Sequence, residues 1–328
     1  MSSASPHPVR RPLPLHGILP GTRDLVELGD LGPWRPRLVA SDLDSTLLDS
    51  AGEVTSRTRA ALERCWALGV PVVGVTGRGP RLFDSVRAAL GGRGIAVLAQ
   101  GGFVVEFGGG PERDSVLRAV GLPRDRAAAV IARIEDVAGE LTVAVEDAAE
   151  QGEAHPGPAA TGPVGTGRVG IPLRVQHGFD WPYPEPADLL PRHEVLPPGP
   201  VLKVFLRSAS LDQDELLARA RAVIDQRDAE VTHAGLGFIE VLPPGVTKAT
   251  GLAVALGRYG VDLRDVLAFG DMPNDLPMLT AVSAAGGRAV AVANAHPDVR
   301  AAAQQLTSGH DADGVARYVE ALFGTGDV

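Results

Sequence analysis

The sequence is poor in cysteine, lysine and aromatic residues, and the scarcity of the first two narrows the possible chemistry of the chain. The only cysteine, Cys65, rules out a disulfide within the chain, and it lies in an apolar helical pattern that favours a core position over a nucleophile. The expected compartment is therefore the cytoplasm. Lysine occurs only as Lys203 and Lys248, whereas the remaining basic residues are arginines. A lysine is thus more informative in this chain than an arginine.

Positive charge and long apolar runs are lacking as well. The net charge is -9, and no block of arginines and lysines is present, which argues against a nucleic acid or an anionic membrane as partner. No apolar run approaches the length of a membrane span, and residues 1–20 do not contain the apolar segment of a secretory signal. Small ligands and metal ions remain as partners for a chain of 328 residues that is 45% hydrophobic.

Strands and helices alternate over the first part of the chain. RLVASD, VPVVGVTGRG and GIAVLAQGG are β-branched or apolar runs typical of buried strands, and TSRTRAALERCWALG and PRLFDSVRAALGG between them have helical patterns. This spacing predicts an α/β fold with a doubly wound parallel sheet, and the same rhythm returns after Lys248. The block between is different, with a predicted hairpin, helices and the strand VLKVFLRS.

The change of pattern predicts that an α+β module is inserted into the α/β core. We expect a flexible, proline-rich arm at 1–34, a core domain at 35–108 and 243–328, and an inserted domain at 109–242. The stretch 147–170 is rich in Gly, Ala and Pro and is expected to be a loop.

Two carboxylates, Asp42 and Asp44, directly follow the first predicted strand. Ligands bind beyond the carboxyl ends of strands in a doubly wound sheet, and two neighbouring carboxylates suit a hard divalent cation such as Mg²⁺. A solvated turn with a capping aspartate would show the same DLDST fragment, so this motif alone leaves both interpretations open.

Other predicted strand ends also carry polar groups. Thr76 and Gly77 offer a hydroxyl and an exposed backbone N–H that suit a phosphoryl oxygen, although an ordinary strand-to-helix turn has the same composition. Asp271, Asn274 and Asp275 follow a later strand and make either a metal corner or a helix N-cap.

Lys248 precedes a predicted helix, where a cation is unfavourable for the helix dipole. A negative partner would remove that cost, whereas a surface lysine would need none.

Taken together, these motifs resemble the haloacid dehalogenase superfamily, and specifically its Cof-type phosphatases of subfamily IIB, which carry a large inserted cap. The motifs are DLDST at 42–46, VTGR at 75–78, PPGVTK at 243–248 and GDMPND at 270–275, and the resemblance covers about residues 36–325. It implies a Rossmann-like α/β core with an α+β cap domain.

The resemblance also implies roles for these residues. Asp42 would be the nucleophile that forms an aspartyl-phosphate, and Asp44 would be the general acid and base. Mg²⁺ would be the cofactor, and its predicted site consists of Asp42, Asp44 (through its backbone carbonyl), Asp271, Asn274 and Asp275. Thr76, Gly77 and Lys248 would hold phosphoryl oxygens, and Lys203 would contribute from the cap.

The chain departs from the family pattern at two places. Ser45 stands where relatives usually have glycine, and Gln100-Gly101-Gly102 stands where they often have Asn-Gly-Ala, which leaves a role for this amide open. Other cap candidates are Arg174, Trp181 and Tyr183; loop packing is the preferred interpretation for the two aromatic residues. The abundance of arginine makes Arg174 and Arg78 weak candidates, and His155, His177 and His193 are interpreted as surface or cap residues.

The predicted function is hydrolysis of a small-molecule phosphate monoester, such as a sugar phosphate or a nucleotide, by a Mg²⁺-dependent enzyme. The expected partner is a small phosphorylated metabolite, with no nucleic acid and no membrane, and the oligomeric state is left open. Two alternatives stay open: a phosphotransferase or mutase that uses the same intermediate, and a regulatory protein that only binds a phosphometabolite.

Overall fold

A computed structural model describes residues 28–29, 31–110, 113–147, 162–163, 173–182 and 187–324. Its strands are β1 Leu38–Ser41, β2 Val72–Val75, β3 Arg93–Leu98, β4 Phe103–Gly108, β5 Ser115–Ala119, β6 Leu141–Asp147, β7 Gly162–Pro163, β8 Leu173–Gln176, β9 Asp188–Leu190, β10 Val201–Ser208, β11 Glu230–Thr232, β12 Ile239–Leu242, β13 Val266–Gly270, β14 Arg288–Val292 and β15 Gln305–Thr307. Its helices are α1 Ser56–Ala67, α2 Phe83–Ala89, α3 Arg124–Ala138, α4 Arg192–Val195, α5 Gln213–Val223, α6 Lys248–Tyr259, α7 Leu276–Ala284, α8 Pro297–Ala302 and α9 Gly314–Phe323.

The larger sheet has the order β15-β14-β13-β1-β2-β3-β4-β5-β7. The pairs from β15 to β3 are parallel, and β4, β5 and β7 continue the sheet in antiparallel pairing. Helices α1, α2 and α9 pack their apolar side chains on one face of this sheet, and α6, α7 and α8 pack on the other. Strands covered on both faces are expected to be continuously apolar, as LVAS and VVGV are. The predicted doubly wound α/β core is confirmed.

The smaller sheet is built from the inserted segment, in the order β11-β12-β10-β6-β8-β9. Alternate residues of its strands face helices α3 and α5 across an apolar cluster. The opposite face carries an aromatic cluster and three buried charged residues, Glu146, Lys203 and Glu240. We call this second face the charged cap face.

The predicted boundary at residue 108/109 falls inside a hairpin of the large sheet. Strand β4 pairs with β5 from Phe103↔Ala119 to Glu106↔Ser115, so the chain leaves the large sheet only after Ala119. The sequence predicted the hairpin but not the sheet to which it belongs, since local alternation does not identify the neighbouring strand. Near the later predicted boundary at 242/243, β12 is the last strand of the smaller sheet along the chain and ends at Leu242.

The predicted N-terminal arm is described only near its end. Leu28, Leu31 and Trp34 pack against the core, and Arg288 lies over the Trp34 ring at 4.6 Å, so this part is docked rather than free. The rest of the arm, and the predicted 147–170 loop apart from Asp147 and 162–163, lie outside the described residues. Within the described residues, no helix is long and apolar enough to cross a membrane.

Helix α6 lies unusually close to the end of β3. A Cβ atom on Gly251 would come within 2.3 Å of Val97 Cγ1 and 2.6 Å of Gly101 Cα, so only glycine permits this approach. The helix begins with a capping box in which Thr247 and Thr250 exchange side-chain and backbone hydrogen bonds. Its first residue, Lys248, is thereby fixed at the carboxyl edge of the large sheet.

Candidate active site

Asp42 is the first residue beyond β1 and lies at the centre of the carboxyl edge. Its backbone N–H donates to the carbonyl oxygen of Phe269 in β13 at 3.0 Å, which fixes its position between the two strand ends. The next residues turn sharply, because Ser45 adopts a left-handed conformation with φ of 58°. Glycine adopts this conformation most readily, so a serine here carries a conformational cost. The Asp42 side chain is buried.

Lys248 is buried against two carboxylates. Its Nζ atom lies 2.5 Å from Asp42 Oδ1 and 2.7 Å from Asp275 Oδ1. Burial opposes the charge, but Asp275 and Asp42 outweigh this effect and hold the pKa of the ammonium above its usual value. These carboxylates are the negative partners that a lysine at a helix N-terminus needs.

Asp271 and Asp275 complete an acidic cluster at the end of β13. One carboxylate oxygen from each of Asp42, Asp271 and Asp275 lies within 4.8 Å of the others, and all three side chains are buried. Thr46 donates its hydroxyl to Asp271 Oδ1 at 2.9 Å. Asp275 Oδ2 accepts the backbone N–H groups of Asp271 and Met272, each at 3.0 Å. The sequence left open whether this segment forms a metal corner or a helix cap. Asp275 combines the two, because one of its oxygens accepts the backbone N–H groups of the turn and the side chain also belongs to the acidic cluster.

The cluster carries more negative charge than its single lysine balances. Burial raises the pKa of Asp42 to about 7, while Lys248 lowers it and Asp275 raises it again. Burial, Asp42 and Asp275 together raise the pKa of Asp271 well above its usual value. Buried like charges of this kind are relieved by protonation or by a cation. The three oxygen donors are the ligand type that hard divalent ions take.

Asn274 lies in the same turn and brings a further oxygen. Its Nδ2 atom donates to Gln100 Oε1 at 3.2 Å, whereas its buried Oδ1 atom has no hydrogen-bond partner among the described residues. A buried acceptor without a donor is costly, and an ion or water removes that cost. The acidic cluster and this oxygen therefore fit a metal ion, and we refer to Asp42, Asp271, Asn274 and Asp275 as the metal corner.

Thr76 and Gly77 form the end of β2. The Thr76 hydroxyl oxygen accepts the backbone N–H of Arg78 at 3.0 Å, which leaves its hydrogen free to donate. A Cβ atom on Gly77 would lie 2.7 Å from Gln100 Nε2, so a larger residue would collide with that amide.

Asp44 does not join the acidic cluster. Its exposed carboxylate forms a bidentate pair with Arg78, with Nη2–Oδ1 at 2.6 Å and Nε–Oδ2 at 3.0 Å. Arg78 was a weak candidate from the sequence because arginine is abundant, and the structure places its guanidinium on Asp44. The bidentate geometry on a motif aspartate identifies this arginine, and no composition argument could have done so.

The charged cap face lies directly on these strand-end loops. Lys203 Nζ donates to Gly77 O at 2.5 Å and to Glu240 Oε1 at 2.9 Å. Glu240 Oε2 accepts from Gln100 Nε2 at 2.5 Å, and Glu146 lies 3.7 Å from Arg81 Nε. Sequence reasoning named Lys203 as a cap candidate and left the role of Gln100 open, but it did not single out Glu146 and Glu240. A signal existed for the two glutamates, because each interrupts an apolar strand, in LTVAVED and in FIEVL.

The other described cap candidates contact cap residues, and no contact between them and the acidic cluster is observed in the described part of the chain. Arg174 donates to the backbone carbonyls of Val195 and Glu194, so it braces the cap itself. Trp181 stacks on Phe238 with ring centroids 5.8 Å apart, as the loop-packing interpretation expects. Two further candidates, Tyr183 and His155, lie outside the described residues, whereas His177 and His193 are exposed.

Comparison with known proteins agrees with this geometry. A family model described as haloacid dehalogenase-like hydrolase matches residues 39–319. The HMP-PP phosphatase of Shigella flexneri is 26% identical over 265 residues, which cover 81% of this chain and 87% of that protein. The phosphoglycolate phosphatase of Methanothermobacter thermautotrophicus is 36% identical over 115 residues, which are 35% of this chain and only 50% of that protein.

The fold is also found among solved structures. The structure of a sugar phosphatase of HAD subclass IIB superposes with a TM-score of 0.64 at 19% identity and covers 86% of this chain and 97% of that one. At this identity the similarity concerns the fold alone, and it includes the inserted second sheet.

Proposed function

Because the chain belongs to the haloacid dehalogenase-like hydrolases and has their Cof-type, subclass IIB architecture, we propose that it is a Mg²⁺-dependent phosphatase. Its substrates are small phosphate monoesters, and the reaction passes through an aspartyl-phosphate on Asp42. The names of the two relatives, an HMP-PP phosphatase and a phosphoglycolate phosphatase, support small phosphorylated metabolites as the substrate class.

Asp42 is the nucleophile of the first step. One carboxylate oxygen attacks phosphorus, the bond from phosphorus to the ester oxygen breaks, and the phosphoryl group stays on Asp42. In the second step a water attacks phosphorus, the bond to Asp42 breaks, and inorganic phosphate leaves. Lys248, at 2.5 Å from Asp42, favours the ionised carboxylate that the attack needs.

Asp44 handles the proton in both steps. It gives a proton to the departing alkoxide and takes one from the attacking water. Its carboxylate is exposed and, among the described residues, Arg78 is its side-chain partner, so it can turn from that arginine toward the leaving group. Arg78 is then the group that keeps Asp44 in place between the two proton transfers.

The metal corner supplies oxygen ligands for Mg²⁺. Asp42, Asp271 and Asp275 contribute carboxylates, Asn274 contributes its buried amide oxygen, and Asp44 contributes its backbone carbonyl. When bound, the ion offsets the repulsion between a carboxylate nucleophile and an anionic ester. Thr76, the Gly77 N–H and Lys248 are the donors for the remaining phosphoryl oxygens.

The charged cap face covers this edge and excludes water from it. Lys203 reaches from the cap and donates to the carbonyl oxygen of Gly77, a residue whose N–H is one of the proposed phosphoryl donors. The leaving group of the ester enters between these two surfaces when the cap lifts.

The observation that carries this proposal is the contact of one buried lysine with two of three clustered aspartates at the carboxyl edge. We would measure phosphate release from p-nitrophenyl phosphate and from a panel of sugar phosphates, nucleotides and other metabolites. Wild-type protein with Mg²⁺ is expected to release phosphate, whereas EDTA or Asp42→Asn is expected to stop it. Folded wild-type protein that releases phosphate from no ester in the presence of Mg²⁺ would overturn the proposal.

A phosphotransferase or mutase would share the aspartyl-phosphate. Product analysis with added acceptor sugars separates the two reactions, since transfer gives a new phosphate ester and hydrolysis gives only inorganic phosphate. A protein that merely binds a phosphometabolite would not need both Asp42 and Asp44, and the chain has both.

A further inference from the structure

Gln100 occupies the junction between the charged cap face and the metal corner. It lies just after β3, its side chain is buried, and its backbone φ of 58° is in the left-handed region. Such a conformation costs a non-glycine residue energy and persists only where the surroundings hold it. The side chain bonds on one side to the cap, through Glu240, and on the other to the core, through Asn274.

Glu240 determines which way the Gln100 amide points. A carboxylate paired with Lys203 accepts hydrogen bonds and does not donate them, so Gln100 must present its NH₂ group to Glu240. The Gln100 oxygen then faces Asn274, and it accepts from Asn274 Nδ2 at 3.2 Å.

The orientation of Gln100 in turn fixes the orientation of Asn274. Because the NH₂ group of Asn274 donates to Gln100, its oxygen faces the other way, and that buried oxygen has no hydrogen-bond partner in the described part of the chain. The opposite orientation would leave N–H donors there instead, and donors cannot bind a cation. A carboxylate of the cap thus fixes the orientation of an amide in the metal corner, through two hydrogen bonds and one intervening side chain.

We propose that Gln100 is a positioning residue that couples the seated cap to metal binding, by holding Asn274 with its oxygen available to the ion. When the cap is seated, Glu240 orients Gln100 and Gln100 orients Asn274. When the cap lifts, both amides lose that constraint and the ion loses a prepared ligand. By linkage, the metal must favour the seated cap as much as the seated cap favours the metal.

This inference deepens the proposed function, because it rests on the proposed metal corner. It does not require turnover, so its test is binding of Mg²⁺ or Mn²⁺ by isothermal titration calorimetry with the full chain and no substrate. A protein that binds the ion in this way but hydrolyses no ester would contradict the proposed phosphatase and leave the coupling intact.

Two variants address the two ends of the relay. Gln100→Met keeps the length of the side chain but removes both hydrogen bonds, and we expect metal affinity to fall about tenfold, as for residues that orient a ligand. Glu240→Gln replaces the obligate acceptor with an amide that can also donate, so we expect a smaller loss of about threefold to fivefold. Glu240 contacts none of the three clustered aspartates in the described structure. An effect of Glu240→Gln on metal affinity must therefore be transmitted through an intervening residue such as Gln100.

Glu146→Gln is the matched control. Glu146 lies on the same charged cap face and is equally buried, but its ion-pair partners are Arg81 and Lys203 and it has no bond to Gln100. Glu146→Gln leaves the Lys203–Gly77 contact and the Glu240–Gln100 and Gln100–Asn274 hydrogen bonds in place, so the cap stays seated and metal affinity should remain within about twofold of wild type. Circular dichroism tests whether each variant is folded. If Gln100→Met does not fold, comparing the metal affinities of Glu240→Gln and Glu146→Gln still tests the proposal.

The double variant Gln100→Met/Glu240→Gln gives the sharpest comparison. If Glu240 acts through Gln100, the double variant binds metal no more weakly than Gln100→Met alone. The proposal is overturned if Glu240→Gln has no effect, if it and Glu146→Gln weaken binding equally, or if the losses of the two single variants add.

Discussion

Lys203 Nζ, in a strand of the inserted sheet, lies 2.5 Å from the carbonyl oxygen of Gly77, although 126 positions separate the two residues. The same ammonium contacts Glu240 at 2.9 Å and Glu146 at 4.0 Å, so it neutralises buried charge on the cap while it holds the cap on the core.

Lys203→Met should therefore unseat the cap. Two buried carboxylates would lose their shared cation, and breaking a buried ion pair typically costs about 3–5 kcal/mol. We expect faster hydrogen exchange at residues 76–79 and a higher KM. Arg174→Met is the control, because Arg174 contacts only cap carbonyls in the described bonds and should not alter exchange at residues 76–79. Unchanged exchange in Lys203→Met would contradict this role.

Lys248→Met should destabilise the metal-free protein in a pH-dependent way. The variant leaves Asp42 and Asp275 without their cation, and burial already raises the pKa of Asp42 to about 7. Because Lys248 lowers the pKa of Asp42, its loss raises that pKa further. At pH 8 the wild-type Asp42 is ionised and stabilised by Lys248, an interaction that the variant lacks, whereas at pH 5.5 Asp42 is protonated in both proteins and the difference is smaller. We expect a larger loss of Tm at pH 8 than at pH 5.5 in EDTA. Arg258→Met, on the exposed side of the same helix, should show no such difference.

Asp271→Asn should stabilise the metal-free protein while removing its response to Mg²⁺. The pKa of Asp271 is raised, so the ionised form is disfavoured in the folded state at neutral pH, and a neutral amide removes that cost. We expect Tm in EDTA to rise by about 1–2 °C, which corresponds to roughly 1 kcal/mol for a chain of this size. Asp262→Asn, an exposed carboxylate paired with Arg264, should leave both Tm and the metal response unchanged. A fall in Tm for Asp271→Asn would count against the repulsion.

Arg78→Met should lower kcat more for substrates with a poor leaving group than for substrates with a good one. Without its arginine partner Asp44 is poorly placed as an acid, and general acid catalysis is worth about 10²–10⁴-fold for an alkoxide that needs a proton. We expect kcat to fall by at least about tenfold more for a sugar phosphate than for p-nitrophenyl phosphate. Ser85→Ala, which removes a second contact of Arg78 at 3.2 Å, should behave like wild type. Equal losses on both substrates would argue that Arg78 serves only the fold.

Cys65 should react with a thiol reagent only when the protein opens. Burial raises the pKa of its thiol to about 12, so at pH 8 almost no thiolate is present in the folded state. We expect no labelling by dithiobis(nitrobenzoic acid) in buffer and one thiol per chain in urea. Because no other cysteine exists, the labelling rate reports opening of the core around α1 directly, with glutathione as the control for the reagent.

Much of the core could be predicted from sequence, because its signals are local. Asp42, Thr76 and Asp271 each follow a short apolar run, and the rule that polar groups gather at the carboxyl edge of a parallel sheet brings them together. Lys248 stood out because a lysine at a helix start needs a negative partner. The three-residue edge strand β15 was not predicted, since three residues carry too little periodicity.

The seam between cap and core could not be predicted in the same way. Gln100 and Glu240 are 140 positions apart, and their contact depends on how one sheet rests on the other. No pattern within either segment encodes that placement. The same holds for the Asp44–Arg78 pair, where 34 positions of chain intervene and abundant arginines hide the relevant one.

The pairing of β1 with both β2 and β13 has a consequence for biosynthesis. Leu38 pairs with Val266, and Thr46 bonds Asp271 at a distance of 225 positions along the chain. A ribosome therefore releases the nucleophile strand and the whole cap long before the strand that completes the metal corner. Until β13 arrives, one side of β1 is an open sheet edge, and open edges of this kind recruit other chains. The three carboxylates of the acidic cluster can come together only after β13 has been synthesised. Their mutual repulsion therefore does not arise while the earlier part of the chain folds.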